Sequence, residues 1–270
     1  MGQYIWSINS EEKNEKEEQV YNIKEEKNQM KQITIDYLIQ KIKSNKYFKV
    51  KHFQKNKSCE NCKINYISKQ MQISDYKICR NCYLKEKEEN FKSMKTILNK
   101  QNELNFNGNE IISNKLFLGS IKDSFQKDNL KKLGITNILM VGYYLNEIYP
   151  NDFTYLNFEI DDNPKENIFK FFLPSIKFIL ESKVCFVHCI WGKSRSASIV
   201  ICFVMFYFKI SFKEAFKLVK RRRSFVLPND SFCIQLKYFD LVLKLCKYDL
   251  KKIEEFMNLF NEQFNNDHIY

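Results

Sequence analysis

Two neighbouring apolar stretches in the second half of the chain predict a strand that leads into a helix. Residues 183–187 form a short run with β-branched side chains, which is typical of a buried strand. Residues 196–208 are apolar almost throughout, which predicts a long buried helix. The loop between them therefore lies where the free backbone N–H groups and the positive dipole end of a helix favour a bound anion.

The remaining pattern divides the chain into five segments. The charged N-terminal segment (1–50) contains a helical apolar face, formed by Ile33, Ile35, Leu38, Ile39 and Ile42. The other segments are a cysteine-rich module (51–86), a polar helical linker (87–107), a larger domain (108–248) and a helical tail (249–270). The longest apolar run is far shorter than the roughly 20 residues of a membrane-spanning helix, so we expect no transmembrane segment.

The loop at residues 188–196 has the residue types of a thiol nucleophile with a phosphate site. A cysteine attacks as its thiolate, and backbone amides, a helix N-terminus and a guanidinium lower a thiol pKa from about 8.5 to about 3.5–7.5. Among nine cysteines, only Cys189 has an arginine six positions later. Arg195 can bind two phosphoryl oxygens through its planar guanidinium. Taken singly, these would be a core cysteine and a surface arginine, but their spacing favours catalysis.

Three further loop residues extend this chemistry. Gly192 can adopt a positive φ or let the backbone approach a ligand closely. Ser196 places a hydroxyl near the sulfur, where it can stabilise a departing thiolate. Lys193 adds a positive charge that would either suit a multiply charged substrate or only improve solubility.

With His188 and Ser194, these residues complete the pattern His-Cys, five residues, Arg-Ser. The chain thereby resembles the dual-specificity protein phosphatases of the cysteine-dependent protein tyrosine phosphatase superfamily. Further landmarks occur in the family's order: residues 114–120, residues 133–139, Pro228-Asn229, Phe232 and Gln235-Leu236. The resemblance implies an α/β fold with a central mixed β-sheet flanked by helices, preceded here by the small cysteine-rich module.

The resemblance also implies roles for individual residues. The phosphate would be bound by the loop residues Ile190, Trp191, Gly192, Lys193, Ser194 and Arg195. The general acid would be Asp162, counted back from Asn167-Ile168, and Asp161 is the alternative because one sequence leaves a one-residue shift open. His188 would help to position the loop and tune the thiolate, and Asn229 would brace the loop.

Two Cys-x-x-Cys pairs upstream predict a zinc site. Sixteen residues separate the pairs, a spacing that suits a tetrahedral site with four thiolates: Cys59, Cys62, Cys79 and Cys82. Four protein ligands leave no position for a catalytic water, so the zinc would be structural. Two disulfides, a redox dithiol and an iron–sulfur centre are the alternatives. Disulfides fit poorly with a reactive thiol in a chain without a secretory signal.

Composition adds little to this picture. The net charge of +12 comes from scattered lysines, and only five of the 44 basic residues are arginines. We therefore expect no nucleic-acid partner. The triplet Arg221–Arg223 is expected to be a solvated helix end, with binding of an acidic or doubly phosphorylated substrate as the alternative. A reactive thiol without a secretory signal indicates the cytoplasm or the nucleus.

The expected activity is hydrolysis of phosphotyrosine and of phosphoserine or phosphothreonine monoesters through a cysteinyl-phosphate. No cofactor is expected in catalysis, and the expected partners are phosphorylated proteins, with kinases among them. A phosphoinositide or RNA-end phosphatase of the same superfamily is one alternative. A zinc-containing adaptor that binds phosphoproteins with little turnover is the other, and the complete set of Cys189, Arg195 and Asp162 argues against it.

Metal analysis of the reduced protein tests the zinc module. We expect about one zinc per chain, and loss of the metal in a Cys59→Ser/Cys62→Ser variant because two of the four thiolates are removed. Cys233→Ser, outside the module, serves as the control and should keep its zinc. A reduced preparation that contains no zinc would contradict the prediction.

Overall fold

The computed structural model describes residues 34–42, 44–45, 85, 88–89, 92–93 and 106–266, with side chains described up to Glu262. The predicted zinc ligands Cys59, Cys62, Cys79 and Cys82 lie outside the described residues. Most of the predicted linker does so too; of its described residues, 88–89 and 92–93 are helical, whereas 106–107 are not.

A five-stranded sheet forms the centre of the described fold. Its strands are β1 (Asn109–Ile112), β2 (Leu116–Ser120), β3 (Asn137–Val141), β4 (Thr154–Phe158) and β5 (Cys185–Cys189). They lie in the order β1-β2-β5-β3-β4. β1 and β2 are antiparallel, whereas the other neighbours are parallel. The sheet is therefore mixed, which confirms the predicted fold class.

β5 is the central strand, and it carries the candidate nucleophile at its carboxyl end. All of its residues are buried, as expected for a parallel strand that is covered on both faces. The sequence pattern predicts this strand at residues 183–187. In the structure it lies at Cys185–Cys189, because its pairing with β2 begins at Cys185 and continues to Cys189.

The helices are α1 (Ile121–Ser124), α2 (Lys127–Lys132), α3 (Phe172–Glu181), α4 (Arg195–Phe208), α5 (Phe212–Arg222), α6 (Asp230–Leu245) and α7 (Leu250–Asn266). α4 confirms the helix predicted after the loop. Its first eleven residues are all buried, and it packs against β5, α3, α5 and α6. α5 begins with a capping box between Ser211 and Glu214.

Apolar side chains pack on both faces of the sheet. On one face, Phe186 of β5 joins a cluster with Ile121, Leu130 and Ile138. Because side chains alternate along a strand, Val187 points to the opposite face. An aromatic cluster connects the 3₁₀ segment Phe169–Phe171 with α3 and α6, with ring centroids 5.1–5.8 Å apart. That cluster anchors the chain shortly after the Asp161-Asp162 pair.

The described residues fall into two compact units. One comprises residues 47–258, and the other comprises residues up to 46 together with those from 259. In the second unit, residues 34–42 form a helix that buries Leu38, Ile39 and Ile42, as the apolar face predicts. α7 lies in the segment that the sequence predicts as a helical tail, 249–270. No described helix is long and apolar enough to cross a membrane.

Candidate active site

Cys189 lies buried at the carboxyl end of β5, directly before the loop of residues 190–194, here called the phosphate loop. The loop leads into α4 at Arg195. Sγ of Cys189 accepts a hydrogen bond from the Ser196 hydroxyl at 3.1 Å. It accepts another from the Gly192 backbone N–H at 3.2 Å. The structure therefore brings together the sulfur, the hydroxyl and the glycine that the sequence singles out.

Opposing effects act on the pKa of the Cys189 thiol. Burial raises the pKa, because it removes the thiolate from water. The charge of Arg195 lowers it, as do hydrogen bonds from the Ser196 hydroxyl and from the N–H groups of Ser196 and Gly192. The net result is a pKa below the ordinary thiol value. The site therefore favours the thiolate, which is the nucleophilic form.

The carbonyls at both ends of the phosphate loop accept backbone hydrogen bonds from other parts of the fold. Ile190 O accepts from the N–H of Ile121, the first residue of α1, at 3.2 Å. Lys193 O accepts from the N–H of Leu227, in the segment between α5 and α6, at 2.8 Å. The loop is thus held from two sides.

Arg223 binds the two carbonyls in between. Its Nε donates to Gly192 O at 2.9 Å, and its Nη2 donates to Trp191 O at 3.3 Å. Nη1 donates to Asn107 O at 2.8 Å and to Asn109 Oδ1 at 2.7 Å. The expectation of a solvated helix end is wrong for this arginine, which is buried. It is buried because its donors meet four acceptors on two separate segments, residues 107–109 and 191–192, which no local sequence pattern reveals.

These outward bonds orient the amides of the loop. In a trans peptide the N–H points away from the preceding carbonyl, so the N–H groups that follow the four carbonyls face the inside of the loop. Such a ring of amides binds anions. Gly192 makes the turn possible, because its φ is +68° and a Cβ there would lie 2.3 Å from the carbonyl oxygen of Gly119. The positive φ expected at Gly192 is therefore observed, whereas its close approach to a ligand stays a prediction.

Arg195 is buried at the start of α4 and faces the same space. Its Nη1 donates to Ile160 O at 3.3 Å. Its Nε has no hydrogen-bond partner among the described residues, so that donor is available to a bound anion. Arg195 lines a cavity of about 1420 Å³ together with Tyr143, Asp161 and Trp191. The cavity has room for a phosphorylated residue and the groups beside it.

The structure distinguishes the two candidate acids by their contacts. Asp162 Oδ1 accepts a hydrogen bond from the Ser194 hydroxyl at 2.6 Å and another from Asn229 Nδ2 at 2.9 Å. Asn229 N in turn donates to Ser194 Oγ at 3.1 Å. Asp162 is therefore bonded to the phosphate loop itself, whereas Asp161 lines the cavity. Both carboxylates lie at the site, so the choice between them stays a prediction.

Gln235 is a second residue whose role the sequence did not reveal. Its side chain is fully buried on α6. Oε1 accepts from the Phe169 N–H at 2.9 Å, and Nε2 donates to Glu166 O at 2.8 Å and to Ser231 Oγ at 3.0 Å. The sequence singled it out only as a family landmark. The structure shows that it fixes the end of the loop that carries Asp161 and Asp162.

His188 lies next to the nucleophile as a neutral ring. Burial lowers its pKa to about 4, against smaller opposing effects of the Cys189 carbonyl and Asp123. Nδ1 lies 3.3 Å from Cys189 O, and the ring stacks on Phe186 with centroids 5.4 Å apart. At neutral pH His188 therefore contributes packing and position to the loop, and no positive charge.

Cys185 is too far from Cys189 to form a disulfide with it. Both lie on β5, four residues apart, and a strand rises about 3.3 Å per residue. Their Cα atoms are therefore about 13 Å apart, against roughly 4.4–6.8 Å in a disulfide. Burial also raises the pKa of Cys185 to about 12, which keeps it as the unreactive thiol.

Comparison with known proteins extends these observations. The family model described as "Dual specificity phosphatase, catalytic domain" matches residues 116–240. A probable rhodanese domain-containing dual specificity protein phosphatase of Dictyostelium discoideum is 34% identical over 140 residues, which are 50% of this chain and 29% of that protein. Dual specificity protein phosphatase 22-A of Danio rerio is 34% identical over 175 residues, which are 58% of this chain and 83% of that protein.

A solved structure agrees with the sequence matches. The crystal structure of DUSP15 has a TM-score of 0.50 at 29% identity, over 55% of this chain and 95% of that chain. The shared region runs from β2 to α6 and includes the phosphate loop. The chain spans less than a third of the Dictyostelium relative but most of the Danio rerio protein. With that coverage and identity, the chain belongs to the dual-specificity phosphatase family.

Proposed function

We propose that this chain hydrolyses phosphotyrosine and phosphoserine or phosphothreonine monoesters in proteins through a cysteinyl-phosphate intermediate. The observation that carries the proposal is the buried Cys189 sulfur, whose pKa is lowered, at the base of a loop with inward amides and Arg195. A thiolate in an anion-binding ring is suited to attack on phosphorus.

The first step transfers the phosphoryl group to sulfur. The Cys189 thiolate attacks phosphorus, and the bond between phosphorus and the ester oxygen breaks. The amides of the phosphate loop and Arg195 bind the three equatorial oxygens, where charge is concentrated in the transition state. Asp162 donates a proton to the leaving oxygen, because an alkoxide or phenolate leaves poorly without one.

The second step releases phosphate. Asp162, now a carboxylate, takes a proton from a water molecule that attacks phosphorus, and the bond between phosphorus and sulfur breaks. The departing thiolate receives the hydrogen bond of the Ser196 hydroxyl, which lies 3.1 Å from the sulfur. Every donor, acceptor and nucleophile in this cycle other than water comes from the chain itself.

The names of the matched family and of a similar protein support protein substrates over the alternatives. The matched family model and the Danio rerio relative are named for dual specificity phosphatases. A phosphoinositide or RNA-end phosphatase would use the same loop, so substrate assays distinguish these. The adaptor alternative is disfavoured, because the thiolate, its hydroxyl partner and Arg195 lie together.

The rest of the proposal concerns the whole chain. We infer one structural zinc in the module of residues 51–86, on the strength of the cysteine spacing. A cytoplasmic or nuclear site is supported by the need to keep Cys189 reduced. Kinases are proposed as partners because a protein phosphatase acts on what they phosphorylate.

The first test is Cys189→Ser. A serine hydroxyl is a far weaker nucleophile at neutral pH than a thiolate, so we expect hydrolysis of an aryl phosphate to be abolished. Binding of a phosphotyrosine peptide should be retained, because the loop amides and Arg195 stay in place. Cys233→Ser, remote from the loop in sequence, is the matched control. Unchanged turnover in Cys189→Ser would contradict the assignment of Cys189 as the nucleophile.

The second test compares Asp162→Ala with Asp161→Ala. Loss of the general acid should lower kcat by about 10²–10⁴-fold for Asp162→Ala. Asp161→Ala should have a much smaller effect. The deficit should shrink with a substrate whose leaving group needs no proton, which distinguishes lost acid catalysis from a disturbed loop. The opposite ranking would assign the acid to Asp161.

The third test concerns Arg223. In Arg223→Met two carbonyls of the phosphate loop lose their donors, and the displaced amides should lower kcat/KM for an aryl phosphate by about 10²-fold. Arg222→Met, at an exposed neighbouring position, is the control and should keep its turnover. Thermal melting verifies that both variants fold. A folded Arg223→Met variant with full activity would contradict the positioning role.

A further inference from the structure

Three exposed apolar side chains lie around the phosphate loop. Trp191 is 70% exposed, Leu227 54% and Phe225 50%, the highest values for large apolar residues in the described part of residues 106–262. Single exposed apolar residues are ordinary on a protein surface. Here the three most exposed ones lie on the loop and on the segment that binds it. We call them the apolar rim.

The apolar rim is fixed in place by contacts already described for the loop. Leu227 N–H donates to Lys193 O at 2.8 Å, so the segment of Phe225 and Leu227 is bonded to the loop backbone. The Phe225 ring lies against the Arg223 guanidinium, 4.3 Å from its carbon to the ring centroid. Arg223 in turn binds the carbonyl of Trp191. A preformed surface of this kind loses little entropy when it binds a ligand.

Two of the three residues of the apolar rim also line the catalytic cavity. Trp191 and Phe225 line the same cavity as Arg195. Because Cys189 is buried at the base, a phosphorylated side chain must enter the loop while its peptide backbone stays outside. The residues next to it in the peptide then lie against the surface around the loop. A large apolar side chain at that point would remove the rim from water.

We propose that the apolar rim selects substrates that carry an aromatic or long aliphatic side chain directly beside the phosphorylated residue. The inference rests on the proposed phosphoprotein function and specifies its substrate class. Lys122 and Lys193 also line or border the cavity, so an acidic neighbour is the competing chemistry. The rim is bonded to the loop backbone and packed against Arg223, whereas both lysines are exposed to solvent.

The experiment measures kcat/KM for three phosphotyrosine peptides that differ only in the two residues flanking the phosphotyrosine, which are Leu, Ser or Glu. The Leu peptide should exceed the Ser peptide by about tenfold, as expected when apolar side chains leave water. In Leu227→Ser this ratio should fall toward one. Leu241→Ser on α6, exposed and outside the apolar rim, is the control and should keep the full ratio.

The Leu and Ser peptides are compared in the same variant. A general change in the phosphate loop alters both kcat/KM values alike and therefore cancels in their ratio. Phe225→Ala provides a second variant, in which the ratio should also fall. Equal values for the Leu and Ser peptides, a preference for the Glu peptide, or a ratio that survives both substitutions would each overturn the inference alone. Absence of turnover with every peptide would overturn the proposed function and the inference with it.

Discussion

The chemistry of this protein depends on four consecutive carbonyls that are bonded outward from the phosphate loop. A buried carbonyl without a partner costs about 1–3 kcal/mol, and each of these has one, from α1, from Arg223 or from Leu227. The outward carbonyls oblige the following N–H groups to face inward. The loop can therefore bind an anion before any substrate arrives, and no reorganisation is needed during the reaction.

The same segments that hold the phosphate loop also hold the candidate acids. Asn229 caps α6 through the Phe232 N–H, and its side-chain amide reaches Asp162. Gln235, further along the helix, binds the backbone at the end of the loop that carries Asp161 and Asp162. α6 thus fixes two points of that loop. The hydrogen bond from Ser194 to Asp162 connects the loop of the two candidate acids directly to the phosphate loop.

The parts that sequence predicted are those with local causes. The apolar run of α4, the turn at Gly192 and the spacing of Cys189 and Arg195 all depend on neighbours in the chain. Arg223 could not be assigned this way, because it acts on residues 31 and 32 positions earlier and also binds Asn107. Its exposed neighbours have the same residue type. The ends of β5 were misplaced for a similar reason, since pairing with β2 sets them.

The lowered pKa of Cys189 follows from the same arrangement. Burial alone would raise the pKa of the Cys189 thiol, so its lowered pKa depends on the charge of Arg195 and on the hydrogen-bond donors of the loop. The Gly192 N–H and the Ser196 hydroxyl both donate hydrogen bonds to the sulfur. In the proposed reaction the amides pass to the phosphoryl oxygens, and Ser196 stays with the sulfur. The Ser196 hydroxyl is therefore the donor that serves the sulfur both before attack and when it leaves.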